Sequence, residues 1–534
     1  MLRATAIVEA IEDTVSGILV DPWFGPGRRL GLDAQPSVVF PCVASPEITP
    51  PVETPATDVE DSEKALRRIT AGTARMATAT GVRQVLTTGV MAVTAAIVAR
   101  CLGPHSFGVF TGGTAAFNLC LMLSDFGFSL VLSRELSKRA DDQEQLMGTA
   151  LSAQLAWCGV LTLVLVILGI AAGGERGRVM LVLSPGLAFL GLAVTRQIFS
   201  VRFRAAPLLV MDVSTTVLQC VVMATLALLH ASILLLALNL SLWTCLSSYF
   251  ALWLARREVR FAFPSRAQIA RFVRAAAPQG LASILASLYF SIDLTLLGWL
   301  VSPTQLGHYG AAVRLLTVIV MIPGYIMIAG VPGLSQSSER REELSTFASM
   351  LARWIALTAL PLGAGLAVFA RPAILIVFGH GYLAAVPLIR ILMLAALLSF
   401  VSNVSGIVMA TLGLVRPQLV FTGLSLVVNV AGNLLLDPRY GVTAAAWLTV
   451  GTEVIIATYG VVTLARRISY PIILREVWRP SVAVAAAASV GLCLGANSLF
   501  AIVAAGLVFA AVLMAVGGAP AGLTTRLGRL LSWR

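Results

Sequence analysis

The sequence predicts an all-α integral membrane protein with about 14 transmembrane helices, on the strength of its composition, its apolar run lengths and the alternation of its basic connections. Of 534 residues, 58% are hydrophobic and only 12% charged, with a mean hydropathy of +0.89, whereas a soluble domain carries about 25% charged residues. A water-soluble globule is excluded. Window after window holds about 20 mainly apolar residues, enough to cross a hydrocarbon core of roughly 30 Å at about 1.5 Å per residue. Strand-like alternation over about ten residues is missing, which excludes a membrane β-barrel.

Residues 1–80 are expected to form a mobile cytoplasmic tail. Asp21-Pro22-Trp23-Phe24-Gly25-Pro26-Gly27 is turn chemistry, and 41–63 is rich in proline and acidic residues. A short amphipathic helix can form at 2–20, but Glu9, Glu12 and Asp13 break its apolar run before a signal-peptide core arises. The expected spans are 82–101, 107–124, 148–170, 179–196, 207–229, 231–254, 276–300, 307–330, 350–370, 383–411, 418–436, 441–464, 480–495 and 498–517. They divide into a first six-helix bundle over 81–258, a second over 275–467 and two additional C-terminal helices over 478–518.

Alternate connections hold about 22 Arg and Lys residues, and the others only Arg176, Arg178, Arg371 and Arg439. Basic connections face the cytoplasm, so both termini and the loop 255–274 are placed there. This topology also accounts for the net charge of +12, because the basic residues stand singly and in pairs between spans rather than along one soluble face. Nucleic acid is therefore not expected as a partner. The cysteines form no CxxC pair, and His105, His230, His308 and His380 stand far apart, so neither a disulfide nor a metal site is expected.

An internal repeat emerges once the spans are placed. Gly103-Pro104-His105-Ser106-Phe107-Gly108-Val109-Phe110 aligns with Ser302-Pro303-Thr304-Gln305-Leu306-Gly307-His308-Tyr309, and each segment joins the first two spans of its bundle. Both bundles start from the same side, so a pseudo-twofold axis along the membrane normal should relate them. Two such bundles enclose a cavity able to open to either side.

Further motifs carry a family resemblance. They comprise Ala99-Arg100-Cys101-Leu102-Gly103-Pro104 with Phe107-Gly108-Val109-Phe110, then Asp125-Phe126-Gly127-Phe128 and Arg134-Glu135. Later come residues 293–298 and 309–314, Ile322-Pro323-Gly324 with Val331-Pro332-Gly333-Leu334-Ser335, and Val377-Phe378-Gly379-His380-Gly381-Tyr382. Asn429 and Asn433, Gly441-Val442-Thr443-Ala444-Ala445-Ala446 and Glu453 complete the series. In this order, over about 80–470, the chain resembles the polysaccharide flippase branch of the multidrug/oligosaccharidyl-lipid/polysaccharide exporter superfamily. The long N-terminal tail departs from that pattern. The resemblance implies a transporter of the bacterial inner membrane that flips undecaprenyl-diphosphate-linked oligosaccharide repeat units to the outer leaflet, for O-antigen, capsule or exopolysaccharide. It implies lipid-linked oligosaccharide and membrane lipids as partners, with polysaccharide polymerase and export components beside them, and no cofactor.

Intramembrane ionisable residues are the candidates for such work, because a charge at the bilayer centre costs at least about 2.5–3.5 kcal/mol. Asp293 and Arg314 flank Pro303 at similar depth; Arg314 can meet the diphosphate while Asp293 orients it or couples a cation, or the two form a structural ion pair. The repeat places Thr94 and Ala115 at their positions in the first half, so charge is one-sided. Arg390 is a second diphosphate candidate or an interfacial anchor, and Arg100, nearer a span end, is expected to snorkel. Glu453 lies near the midplane as an ion-coupling candidate with Asn429 and Asn433, or as their hydrogen-bonding partner in helix packing. Asp125, Arg134 and Glu135 suggest a structural or gating salt-bridge cluster, and Pro323, Pro332, Pro361 and Pro387 mark hinges or static kinks.

Two relatives share this plan: a lipid II flippase, and a multidrug/cation antiporter, which would have 12 spans and an acidic cavity. A glycan polymerase or ligase would need a sizeable outer loop with catalytic groups; none is present, nor is a P-loop, so the chain is not read as an enzyme.

Overall fold

Long apolar runs leave the backbone no partner but itself, and the helix satisfies every such group internally. The computed structural model describes residues 56–138, 142–202, 205–336, 340–465, 468–495 and 498–517, with backbone alone at 56–85 and through much of 322–335. The expected tail before 56 and the basic residues after 517 lie outside the described residues.

Every regular element among the described residues is helical. In chain order these are α1 (Ala56–Leu123), α2 (Phe128–Lys138), α3 (Gln143–Ala172), α4 (Gly174–Leu190), a 3-10 turn (Gly191–Arg196), α5 (Gln197–Val201), α6 (Ala205–Leu228) and α7 (Ile233–Ala255). Then follow α8 (Arg266–Leu300), α9 (Pro303–Gln336), α10 (Arg341–Val368), α11 (Ala370–Val377), a 3-10 turn (His380–Ala385), α12 (Val386–Thr411), α13 (Val415–Tyr440), α14 (Val442–Leu464), α15 (Tyr470–Cys493) and α16 (Leu499–Ala515). Nine of the described helices are long and apolar enough to cross a membrane, or ten if α8, bent by 53° between Tyr289 and Ser291, is one span. The chain is therefore a multi-pass membrane protein.

The chain divides into two units, Met1–Thr80 and Gly81–Arg534. In the first, residues 56–80 are helical where the sequence reading places a tail. Glu60 stands four before Lys64 and Glu63 four before Arg67, a spacing that favours helix.

Within the second unit α1 breaks at Gly103, whose backbone (φ 73, ψ 169) is not helical. Pro104 restarts the helix there, as Pro303 starts α9; proline suits a first turn because its missing N–H has no intrahelical partner. α3 shows how these helices face two solvents. Met147, Ala150, Gln154, Cys158, Leu161 and Leu165 form a buried stripe at helical spacing, while Val160, Leu163, Val164, Ile167 and Ile170 are exposed on another face. That second stripe is fully apolar, as a lipid-facing surface must be.

Helix contacts fall into two sets. α3 packs on α4, and α4 and α6 on α7; in the other set α12 meets α9, α10 and α14, α13 meets α8 and α14, and α15 joins α10 and α16. An ion pair of 3.2 Å between Arg353 and Glu476 ties α10 to α15. The sets are joined where Phe128, Leu132, Met147 and Phe199 pack with Phe272 and Ala276 of α8.

They are joined again at the repeat motif. A Cβ on Gly108 would collide with the Pro303 carbonyl oxygen, and one on Gly307 with that of Pro104, so backbone touches backbone. His105 Nδ1 lies 3.4 Å from Thr304 Oγ1, its equivalent in the repeat. Equivalent positions meeting one another is the mark of a two-fold contact.

Candidate functional site

The polar residues of the second half gather on α8, α9, α12, α13 and α14. Helical spacing of four puts Tyr289 and Asp293 one above the other on α8, Thr449 and Glu453 on α14, and Asn429, Asn433 and Asp437 on α13. The site has two storeys.

In the storey nearer the α8–α9 turn, the Tyr309 hydroxyl reaches both the Asp293 carboxylate and Thr449. Asn433 Nδ2 donates to the carbonyl and the side-chain oxygen of Asn429, each at 2.8 Å. Asp437 is 1% exposed and neither of its carboxylate oxygens has a hydrogen-bond partner; Asp293 Oδ1 and Asn433 Oδ1 are likewise buried and unpartnered. Leaving such oxygens unpaired costs about 1–3 kcal/mol each, and more for a charged group, a cost that a proton, a donor or a cation there would relieve. Asp437 escapes the sequence reading because the eleventh expected span ends one residue before it. Its spacing from Asn429 and Asn433 is the signal that could have found it.

In the second storey Glu453 accepts hydrogen bonds from Ser402 and, at 3.4 Å, from the Tyr289 hydroxyl. Its partners are these hydroxyls and not the asparagines expected from the sequence.

The expected pairing of Asp293 with Arg314 does not occur: neither has an ion-pair partner among the described residues, and Asp293 faces Tyr309 instead. Equal depth does not fix helical phase, which turns the two side chains to different neighbours. The Arg314 side chain is exposed on α9, on the same face as Thr317 and Val318. Arg390 stands in the second turn of α12, exposed beside Pro387 and Leu394. Pro387 is a helix-start proline, not a hinge, and α10 runs unbroken through Pro361.

Asp125 is not in a salt bridge with Arg134. It accepts from the backbone N–H (3.1 Å) and hydroxyl of Ser129, so it caps α2, and Arg134 points outward. Phe126 beside it adopts a positive φ of 43° and packs 4.7 Å from the Trp157 ring and against Gly280 of α8. Glu135 is partly buried. Arg100 does not snorkel freely: its Nη2 donates to the Leu375 carbonyl at 2.9 Å. The first half also holds a partly buried ion pair, Arg196–Asp212 at 3.0 Å, that sequence reasoning missed.

Residues 74–338 match the family model described as polysaccharide biosynthesis protein. The structure is similar to lipid II flippase MurJ in an inward closed conformation, with a TM-score of 0.68 and 12% identity over 83% of this chain and 97% of that one. Over 74–338 the chain therefore matches the polysaccharide biosynthesis family, and its fold is that of transporters of the MOP superfamily. Two further neighbours have the same fold. One is an inward-facing multidrug resistance MATE family transporter, with a TM-score of 0.56 and 16% identity over 73% of this chain and 98% of that one. The other is the MATE multidrug transporter DinF-BH, with a TM-score of 0.52 and 17% identity over 75% of this chain and 96% of that one. No curated protein matches the sequence. The family and these neighbours are transporters and flippases, which agrees with a polar site enclosed by helices rather than a catalytic loop.

Proposed function

We propose that this protein flips undecaprenyl-diphosphate-linked oligosaccharide repeat units from the cytoplasmic to the outer leaflet of a bacterial inner membrane, for O-antigen, capsule or exopolysaccharide synthesis. The observation that carries this reading is Arg314, an exposed cation eleven residues beyond Pro303 on α9 with no ion-pair partner among the described residues. Guanidinium forks match phosphate oxygens, and a diphosphate inside a low dielectric needs such a counter-charge. An antiporter of cationic drugs would instead present accessible carboxylates. Here the carboxylates of Asp437 and Glu453 are engaged with, or buried among, protein groups. The match to a polysaccharide biosynthesis family over 74–338 supports the same choice. Arg390 is the second diphosphate contact.

On this reading the chain forms two six-helix bundles over 81–258 and 275–467 with two additional helices over 478–518, 14 spans in all, and both termini are cytoplasmic. Lipid-linked oligosaccharide and membrane lipids are the partners, with polymerase and export components receiving the product. Coupling falls to Glu453, with Asn429, Asn433, Asp293 and Asp437 beside it, whose oxygen donors suit a proton or a small hard cation. The likeness to lipid II flippase MurJ favours one alternative cargo, the peptidoglycan precursor. Deleting the gene and analysing the lipid-linked glycan that accumulates on the inner leaflet separates them. A polysaccharide repeat unit is expected; accumulation of lipid II alone would replace this reading with the other.

A further inference from the structure

Arg176 and Arg100 are two arginines that the transport site does not use, and each spends its guanidinium on backbone. Arg176 Nη1 donates to the Gly298 carbonyl and Nη2 to that of Val301 at 3.4 Å, the last turn and C-cap of α8. Arg100 Nη2 donates to the Leu375 carbonyl, in the last turn of α11. Neither arginine has an ion-pair partner among the described residues. The last carbonyls of a helix have no intrahelical donor and carry its partial negative charge, so a guanidinium is a fitting ligand.

The repeat relates the two contacts. The register that sets Pro303 on Pro104 sets Trp299 on Arg100 and Leu375 on Arg176. One contact therefore has its arginine on the α4 side and its carbonyls at 298–301, and the other has its arginine at 100 and its carbonyl at 375. In that gapless register the two junctures correspond, with donor and acceptor exchanged. Between them lies the backbone contact of Gly108 with Gly307. Gly112 gives Arg176 its path, since a Cβ there would stand 3.4 Å from Arg176 Cδ.

We propose that Arg100 and Arg176 are paired latches that shut the Pro104/Pro303 end of the protein, each clamping a helix C-terminus of the opposite half. The proposal rests on the transport reading in one respect, that this end faces outward and must open. Carbonyl acceptors make the latch releasable, because water can take over both sides of the bond when the end opens, and no carboxylate is left uncompensated. The two latches differ in backing. On the Arg100 side the Tyr382 hydroxyl donates to the Ala99 carbonyl at 2.8 Å, and its ring packs 6.1 Å from Phe107 and 5.9 Å from His308. In the same gapless register Tyr382 falls on Leu183 of the first half, which has no hydroxyl. The Arg176 latch thus stands without that bolt, and its loss should matter more.

The test places a reporter, Thr317→Cys, one turn from Arg314 in the full-length protein freed of its other cysteines, and measures labelling of intact cells by an impermeant thiol reagent. Labelling should be slow with both latches intact, several-fold faster with Arg176→Gln, less so with Arg100→Gln, and fastest with both. Arg176→Lys should lie between, since one ammonium does not hold two carbonyls as a fork does. Unchanged labelling in the double variant at normal abundance would overturn the proposal, as would full-rate labelling with both latches intact. Should the double variant fail to accumulate, oxidative cross-linking of His105→Cys with Thr304→Cys in the single variants decides. A lower yield in Arg176→Gln supports the latch, and an unchanged yield in both refutes it. Neither readout needs the cargo, so a wrong assignment of the glycan, detected by the deletion experiment, leaves these outcomes intact.

Discussion

The two halves of this protein share a motif and a contact, but not their chemistry. At the positions equivalent to Asp293 and Arg314 the first half has Thr94, 8% exposed, whose hydroxyl bonds its own helix at the Val90 carbonyl, and Ala115, 6% exposed. Around Phe128, Leu132, Met147 and Phe199 that half is an apolar core gripping the start of α8. The second half carries Arg314, the unpartnered oxygens of Asp293, Asn433 and Asp437, and the Glu453 site. A repeat thus supplies a frame with two matching faces, while keeping positions 94 and 115 uncharged spares the first half the desolvation cost that Asp293 and Arg314 carry at the equivalent places. The first half is the wall against which the second works.

This contrast can be broken by substitution. The largest effect is expected at Asp437: Asp437→Asn should abolish gradient-driven flipping while leaving thermal stability equal or higher, because an uncompensated buried carboxylate is removed. A fall in melting temperature with flipping retained would make Asp437 a packing residue. Glu453→Gln should slow flipping by about tenfold, since glutamine still accepts from Ser402 but cannot carry charge. Initial rates in proteoliposomes under an imposed gradient measure this, and a rate equal to wild type removes Glu453 from coupling.

A smaller effect, on folding rather than transport, is expected at the shared face. Gly307→Ala should destabilise by about 1–3 kcal/mol, as its methyl group would meet the Pro104 carbonyl. Thermal unfolding in detergent gives the value; no loss would mean that the two motifs do not touch. The smallest effect belongs to the first half. Thr94→Val should change stability and flipping by no more than about 0.5 kcal/mol, because that hydroxyl serves its own helix. A large loss of flipping would show that the first half takes part in the chemistry.

Much of this is legible in the sequence, and the exceptions have physical causes. Apolar run length marks the membrane helices, and the paired Pro104 and Pro303 motifs reveal the repeat whose halves touch at Gly108 and Gly307. Depth along a helix can be counted, so Arg314, Asp293, Asn433 and Glu453 stand out. Helical phase between neighbours cannot be counted, and for that reason the sequence pairs Asp293 with Arg314 when its neighbour is Tyr309. Clustering along the chain misleads at Asp125, where a cap resembles a salt bridge. The latch roles of Arg100 and Arg176 are illegible because their partners are backbone carbonyls, which every residue has.

The central claim is that Arg314 recognises the diphosphate, and the direct measurement is the flipping rate of a polyprenyl-diphosphate oligosaccharide in proteoliposomes by wild type, Arg314→Lys and Arg314→Gln. Losing a counter-charge worth about 2.5–3.5 kcal/mol predicts a fall of about 100-fold for Arg314→Gln, with Arg314→Lys retaining part of the rate as a point charge without the fork. Arg314→Gln at normal abundance flipping at the wild-type rate would contradict the account and pass the role to Arg390.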